Sequence, residues 1–396
     1  MHLLLPFAVL LVVAVLISER AHRTVLSTAV LFLLGGFLLG PGVTDVLQIE
    51  AGDPIVGGLA ELALFSVLFT DGMRVGLADL RAAWRLPGRA LALGMPLTLG
   101  ITALLGHFVV GLPWLESFLL GAVLAPTDPV FAAAIVGRKE VPGRLRHMLN
   151  VESGVNDGLA LPVVLALLAL AGGTEASGWQ LAEEIGLGIA VGVVVPYLVL
   201  RLERLPAFAA VRAHQPLVAV SIGLLVLGVC EATHANLFLG AFAAGVTVAT
   251  SGPEFRVEFE RFGELVTELL KLAAILVFGA LITPEFLFGE IPLVGWIFAV
   301  LALVLARPLA LLVAFVGARL PVREQLAAMW FGPKGFASVV YGLIVLESGI
   351  PAADQLYHLI ALVIVLSIIA HSSTDVVLAR QFDTDEELQE WGEQEQ

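Results

Sequence analysis

The chain is poor in charged residues. Asp, Glu, Lys and Arg make up only 14% of it, whereas 59% of its residues are hydrophobic. A soluble globular domain does not have this balance. The single cysteine, Cys230, excludes an internal disulfide bond and a cysteine-based metal site. The 21 basic residues form no cluster or stripe that would suit a nucleic acid, so no nucleic-acid partner is expected.

Apolar runs of about 20 residues recur along the whole chain, which is the length needed to cross a membrane as a helix. The sequence therefore predicts an all-α polytopic membrane protein with thirteen spans. They lie at about 3–18, 25–40, 55–72, 89–111, 115–137, 146–171, 184–202, 216–232, 236–250, 264–283, 293–316, 324–346 and 357–379.

Basic residues are absent from every second loop between these spans. The loops after the even-numbered spans contain no Lys or Arg, whereas the loops after the odd-numbered spans contain nearly all of them. Because basic loops stay in the cytoplasm, the N-terminus is predicted outside and the C-terminus inside. Residues 1–379 are predicted to form one transmembrane domain, and residues 380–396 a short acidic cytoplasmic tail.

Two spans carry signals that break a helix. In the APTDPVF stretch of span 5, Pro126 and Pro129 remove backbone donors, so the chain is predicted to unwind around Thr127 and Asp128. In the FGPKGFAS stretch of span 12, two glycines and a proline surround Lys334. Unwound backbone at membrane depth is tolerated only where it is buried in protein or lines a cavity.

The two breaks are seven spans apart, so the broken spans cross the membrane in opposite directions. Interrupted spans in corresponding positions of two inverted halves indicate the midplane site of a transporter. The ends of the half-helices carry partial charges, and we expect Asp128 to offset the positive ones and Lys334 the negative ones. The alternative is a pair of ordinary proline kinks.

Span 6 carries an unusual group of polar residues near its middle. A carboxylate as deep as Asp157 has a high free-energy cost in a membrane, so it is expected to have a function. A proton and a monovalent cation would compete for it, because protonation removes the charge that attracts the cation. Ser153, the Asp128 carboxylate and carbonyl groups near Thr127 complete a predicted oxygen cage, and Asn156 is predicted to brace the broken segment.

The second deep carboxylate of span 6, Glu152, is five residues from Asp157 and so points about 140° away from it. Arg307 in span 11 is its predicted partner, since an arginine can bind a carboxylate with two parallel hydrogen bonds. Asp71, at the end of span 3, either lines the cytoplasmic funnel or is a solvated cap. Lys271 is predicted to snorkel to the cytoplasmic surface, and segment 251–263 to be a short amphipathic connector.

Four motifs occur in order along the chain: APTDP in span 5, ESGVND in span 6, an Arg-Pro pair in span 11 and Gly-x-Lys-Gly in span 12. Together they resemble NhaP-type sodium/proton antiporters of the cation:proton antiporter superfamily. The FTDGMR stretch of span 3 is similar to a bacterial branch described as potassium/proton antiporters. The resemblance covers nearly all of the spans and implies the inner membrane of a bacterium or archaeon.

The resemblance implies a thirteen-span NhaA-like fold with inverted repeats. A transport core of spans about 89–171 and 293–379 would move against a dimerisation scaffold built from the remaining spans. Asp157 would be the ion- and proton-binding carboxylate, with Asp128, Thr127, Ser153 and Asn156 as its neighbours. Glu152 would pair with Arg307, and Lys334 stands where the family often has arginine.

The leading hypothesis is a transporter, not an enzyme, that exchanges Na⁺ for H⁺ without a cofactor. An Asn-Asp pair like Asn156–Asp157 goes in this family with electroneutral one-for-one exchange. The first alternative is K⁺/H⁺ exchange by the same mechanism, and Li⁺ is a further candidate ion. A homodimer embedded in membrane lipid is implied. The weaker alternatives are an organic-solute symporter or a channel on the same scaffold.

Overall fold

The computed structural model describes residues 3–21, 27–74, 87–128, 141–172, 178–208, 211, 214–318 and 320–394. Every regular element in these ranges is a helix, and they contain no strand. This confirms the prediction of an all-α fold. A backbone that crosses lipid must satisfy its own hydrogen bonds, and a helix does so within one segment. Long apolar segments therefore form helices.

The helices follow the predicted spans in order, with span 12 divided into two. They are α1 Leu4–Ala21, α2 Thr28–Leu39, α3 Pro54–Arg74, α4 Pro87–Val110, α5 Trp114–Leu124, α6 Gly143–Leu170, α7 Gly178–Glu203, α8 Gln215–Thr233, α9 Leu237–Ser251, α10 Pro253–Leu281, α11 Leu293–Ala314, α12 Val322–Trp330, α13 Phe336–Glu347 and α14 Ala353–Gln394. Six of these described helices are long and apolar enough to cross a membrane: α3, α4, α6, α7, α11 and α14. The count of thirteen spans stays a prediction.

Both predicted helix breaks are present. Helix α5 ends at Leu124 and residues 126–128 are not helical. Residues 331–335 likewise form a non-helical segment between α12 and α13. The amide of Asp128 donates to the carbonyl of Pro333 at 2.9 Å, so the two broken segments meet backbone to backbone. The rest of span 5, from Pro129 onwards, lies outside the described residues.

Segment 251–263 is not a separate connector, so that prediction is wrong. Helix α9 ends at Ser251 and α10 begins at Pro253, then runs without interruption to Leu281. Proline suits the first turn of a helix because the amide that it lacks has no intrahelical partner there. Helix α14 continues through residues 380–394 of the predicted tail and ends at Gln394.

The helices pack in two groups. Helices α2, α3 and α7–α10 pack mainly against one another, as do α4–α6 and α11–α14, with fewer contacts between the groups. Helices α3 and α9 of the first group pack closely where Gly72 and Gly245 face each other. A methyl group on Gly245 would fall on the carbonyl of Phe69, and one on Gly72 on the carbonyl of Phe242. Small residues allow this approach of two membrane helices.

We predict that Gly245→Ala lowers the thermal stability of the purified protein. The added methyl group has no room, and overpacking costs about 1–3 kcal/mol. Gly100→Ala in α4 is the matched control, because no atom lies within 4 Å of the position that its methyl group would take and alanine favours a helix. Melting curves in detergent compare the two variants, and an equal melting temperature for both would contradict the close packing.

Candidate functional site

The site is built around Asp128, which lies in the unwound segment after α5. Its side-chain Oδ2 accepts a hydrogen bond from the amide of Phe336, the first residue of α13, at 3.1 Å. The carboxylate therefore caps the positive end of this half-helix. Gly335 makes the approach possible, since a methyl group there would overlap the Asp128 side chain. Asp128 thus connects the two breaks through its backbone and its side chain.

Helix α6 holds the unwound segment through Thr127. The Ser153 hydroxyl donates to the Thr127 carbonyl at 2.6 Å, and the Asn156 amide donates to the Thr127 hydroxyl at 2.8 Å. All three residues are buried. The Asn156 carbonyl oxygen is buried without a hydrogen-bond partner among the described residues. This oxygen is a hydrogen-bond acceptor that is not used by the contacts between Asn156 and Thr127.

Asp157 lies one residue further along α6 and is only 3% exposed. Its backbone carbonyl accepts a hydrogen bond from the Tyr341 hydroxyl of α13 at 2.7 Å. Within the described part of the chain, no donor bonds to its carboxylate. Asp71, Asp128 and Lys271 are close enough to interact with it electrostatically. Three carboxylates and one ammonium group therefore converge beside the crossing.

The structure corrects the prediction for Lys271, which does not snorkel. Its side chain is 5% exposed, and its Nζ lies 3.4 Å from Asp128 Oδ2. The error follows from the predicted start of span 10. Because α10 begins at Pro253, Lys271 lies eighteen residues (about 27 Å) into the helix, too deep to reach the surface. In the sequence, the position of Lys271 outside the basic loops was the signal that distinguished it from the loop residues.

Asp71 is buried at the end of α3, with 5% exposure, so the solvated cap that was one alternative does not fit. Arg74 lies on the next turn and contacts Asp71 Oδ1 at 3.4 Å. The same arginine donates to Glu264 of α10 at 2.8 Å and is 41% exposed. Asp71 thus lies between the buried carboxylates and a partly exposed arginine at the predicted cytoplasmic end.

Glu152 and Arg307 form a buried ion pair. The two guanidinium nitrogens of Arg307 donate to the two oxygens of Glu152 at 2.6 and 3.0 Å, and its Nε donates to the carbonyl of Ala328 at 3.2 Å. A π-helical turn, Ala302–Ala306, precedes the arginine. Pro308 lacks the amide that would bond to an earlier carbonyl, which accounts for a local irregularity there.

Lys334 lies in the non-helical segment between α12 and α13 and is 4% exposed. Its amide donates to the Ser367 hydroxyl of α14 at 2.7 Å. Its Nζ is buried without a hydrogen-bond partner among the residues described. Its role in offsetting the half-helix charge stays a prediction. Ser367 also contacts His371, whose Nε2 faces the last carbonyl of α12 at 3.0 Å.

Sequence reasoning missed four residues of this site: Lys271 as a contact of Asp128, and Tyr341, Ser367 and His371. Only Lys271 left a clear signal, as one of three basic residues outside the loops that are predicted to be cytoplasmic. A tyrosine, a serine and a histidine on apolar helices have no spacing that would distinguish them from packed core residues.

An unwound segment at the end of one helix meets an interrupted helix inside a helical bundle, with buried carboxylates where they meet, an arrangement typical of secondary transporters. The chain belongs to the transmembrane sodium/hydrogen exchanger family, whose profile matches residues 7–380.

Relatives of known name and structure are similar over most of the chain. A K⁺/H⁺ antiporter, NhaP of Alkalimonas amylolytica, is 28% identical over 90% of this chain and 62% of its own length. The K⁺/H⁺ antiporter NhaP2 of Shewanella sp. (strain MR-4) is 25% identical over 94% of this chain and 66% of its own. The chain thus spans slightly less than two thirds of these relatives.

The fold resembles that of the sodium proton antiporter MjNhaP1 from Methanocaldococcus jannaschii at pH 8. The TM-score is 0.78 at 20% identity, and the similarity covers 94% of this chain and all of that one. This likeness shows that the two proteins share a fold. It confirms the expected all-α fold class.

We predict that Glu152→Gln and Arg307→Met each destabilise the protein strongly, whereas the double variant loses less than the sum. Removing one partner leaves the other charge buried, at a cost of about 3–5 kcal/mol. The matched control is Arg89→Gln. Arg89 is exposed and donates to the carbonyl of Val316 at 3.2 Å, so its loss leaves no buried charge and changes the stability by about 0.5 kcal/mol or less. Additive losses in a thermal-unfolding double-mutant cycle would contradict the pairing.

Proposed function

We propose that this chain exchanges a monovalent cation for H⁺ by alternating access, with Asp157 binding each in turn. The observation that carries the proposal is the Asp157 carboxylate itself. It is buried beside both helix breaks and receives no hydrogen bond from the described residues. A carboxylate without donors in a low-dielectric site needs a proton or a cation. Either one satisfies it, and the two exclude each other.

The neighbouring groups supply oxygen atoms of the kind that a hard cation prefers. The Asp128 carboxylate, the Asn156 carbonyl oxygen and the Ser153 and Thr127 hydroxyls surround the same region. Glu152 is excluded from this role because Arg307 occupies both of its oxygens. Asp157 is then the proton-exchanging carboxylate, which supports electroneutral exchange of one cation for one proton.

Na⁺ is the proposed ion, with K⁺ as the alternative. The named relatives at 25–28% identity are K⁺/H⁺ antiporters, whereas the structural neighbour is a sodium proton antiporter. Dissipation of a pH gradient in proteoliposomes, with Na⁺, K⁺, Li⁺ and choline in parallel, distinguishes the two. An organic-solute symporter or a channel finds less support, since the crossing is lined by tightly packed side chains and carboxylates.

The proposal includes the orientation and assembly of the chain. The distribution of Arg and Lys supports an N-terminus outside the inner membrane of a bacterium or archaeon and a cytoplasmic C-terminus. The group of α4–α6 and α11–α14 would move as the transport core, and the group of α2, α3 and α7–α10 would serve as the scaffold of a homodimer.

We predict that Asp157→Asn abolishes cation-dependent proton movement in proteoliposomes. The amide has a similar shape but neither takes up a proton nor attracts a cation. The full chain is reconstituted with a pH-sensitive dye inside the vesicles, and Na⁺ or K⁺ is added outside. Asp354→Asn is the control, because Asp354 lies exposed near the start of α14. Exchange at the normal rate in a folded Asp157→Asn variant would reject the proposal.

We further predict that Lys271→Met lowers the apparent KM for the cation at alkaline pH. Lys271 contributes positive charge beside Asp128 and Asp157, and its removal leaves three carboxylates that attract a cation more strongly. Lys271→Arg keeps the charge and is the matched control. An unchanged KM in Lys271→Met, with a changed one in Lys271→Arg, would show that the shape of the side chain matters and its charge does not.

A further inference from the structure

A cleft of about 540 Å³ lies between helix α6 and the two helices α7 and α9. This size falls within the ~300–1,000 Å³ of ligand sites. Its walls come from Gly158, Leu159 and Pro162 of α6, from one face of α7 between Ile185 and Tyr197, and from α9 between Leu239 and Ser251. The cleft therefore follows the boundary between the two groups of helices, directly beside Asp157.

The walls of the cleft are apolar even where the sequence has hydroxyl groups. Thr247 and Thr250 line it, but their hydroxyls donate to the carbonyls of Ala243 and Val246 at 2.7 Å. Neither hydroxyl proton is therefore left to donate to a ligand. Large apolar side chains of the walls are left exposed, with Leu159 at 48% and Val193 at 45%. A hydrated ion would find no partner along this surface.

One end of the cleft is polar and basic. Arg201 donates to the hydroxyl of Tyr197 at 3.2 Å, and Arg204 donates to the carbonyl of Ser251 at 2.5 Å. Tyr197 and Ser251 both line the cleft. The two arginines are exposed, and Arg201 lies in the last turn of α7 and Arg204 directly after its end. The distribution of basic residues places this end at the cytoplasmic surface.

We infer that the cleft binds an anionic phospholipid, with one acyl chain between α6, α7 and α9 and the phosphate at Arg201 and Arg204. From Ile185 to Tyr197 the wall is about 18 Å long, which is close to the half-thickness of about 15 Å of a bilayer core. An amphiphile with an anionic head therefore matches the cleft in length, in apolar walls and in charge. Exposed apolar surface at membrane depth is a surface on which a lipid acyl chain packs.

The occupant is a phospholipid and not the transported cation. The route of a cation needs oxygen atoms, which the buried carboxylates provide on the other side of α6 near Thr127. The cleft offers methyl, methylene and aromatic groups along its length. A chain bound there would separate Gly158 and Leu159 of α6 from α7. Binding itself does not depend on the proposed exchange activity.

Native mass spectrometry of the full chain tests the inference. The protein is purified with an equal mixture of palmitoyl-oleoyl phosphatidylglycerol and phosphatidylcholine, and the lipids that remain bound are counted. The wild type is expected to retain phosphatidylglycerol in preference. Arg201→Gln and Arg204→Gln are each expected to lower the preference by roughly fivefold, as for the loss of one basic residue at an anionic surface.

Two matched controls separate this site from general lipid contact. Arg89→Gln removes another exposed arginine that donates to a backbone carbonyl, that of Val316 at 3.2 Å.

Val193→Trp fills the cleft and is expected to lower retention of both lipids. Val194→Trp, at a neighbouring position that is 51% exposed but does not line the cleft, is expected to change nothing. Ala243→Leu is a second, milder filling variant if Val193→Trp does not fold.

Two results would overturn the inference. The first is a wild type that retains both lipids equally, which would leave the arginines without a role. The second is an equal loss in Val193→Trp and Val194→Trp, which would place the lipid elsewhere on α7. Because retention is measured without transport, these results are independent of the activity of the Asp157→Asn variant.

Discussion

The meeting of two interrupted helices at Asp128 is the constraint on which the rest of the structure depends. Its amide bonds to the Pro333 carbonyl and its carboxylate caps the first turn of α13. Backbone that leaves a helix at this depth must find partners inside the protein. Here each broken segment supplies a partner for the other. Helix α6 completes the arrangement through Thr127, and this places Asp157 beside the crossing.

The buried charges divide into two sets with different consequences. Glu152 and Arg307 satisfy each other with two hydrogen bonds, so this set is closed. The set of Asp71, Asp128, Asp157 and Lys271 contains three carboxylates and one ammonium group, and Arg74 adds a contact to Asp71 at 3.4 Å. A closed pair orients helices. In the proposed function the second set would attract a mobile cation, because its carboxylates outnumber its ammonium group.

Local chemistry in the sequence was sufficient to predict the breaks and the polar residues of α6. Proline removes a donor wherever it occurs, so the unwinding near Thr127 could be located to within a residue or two. Lys271 could not be placed, because its depth depends on where α10 begins, and that is decided by Pro253 following α9 without a loop. Tyr341, Ser367 and His371 contact partners that are distant in sequence, and no local pattern reports such contacts.

The contact between Arg307 and Gly332 has a consequence for the divergence of this family. A methyl group on Gly332 would overlap the aliphatic end and the Nε of the arginine. Any larger residue at 332 therefore forces the guanidinium away from Glu152, unless position 307 changes to a shorter side chain. The two positions are expected to vary together among related chains, with glycine at 332 wherever a long basic side chain occurs at 307. Covariation of these two positions in a family alignment would then have a single steric cause.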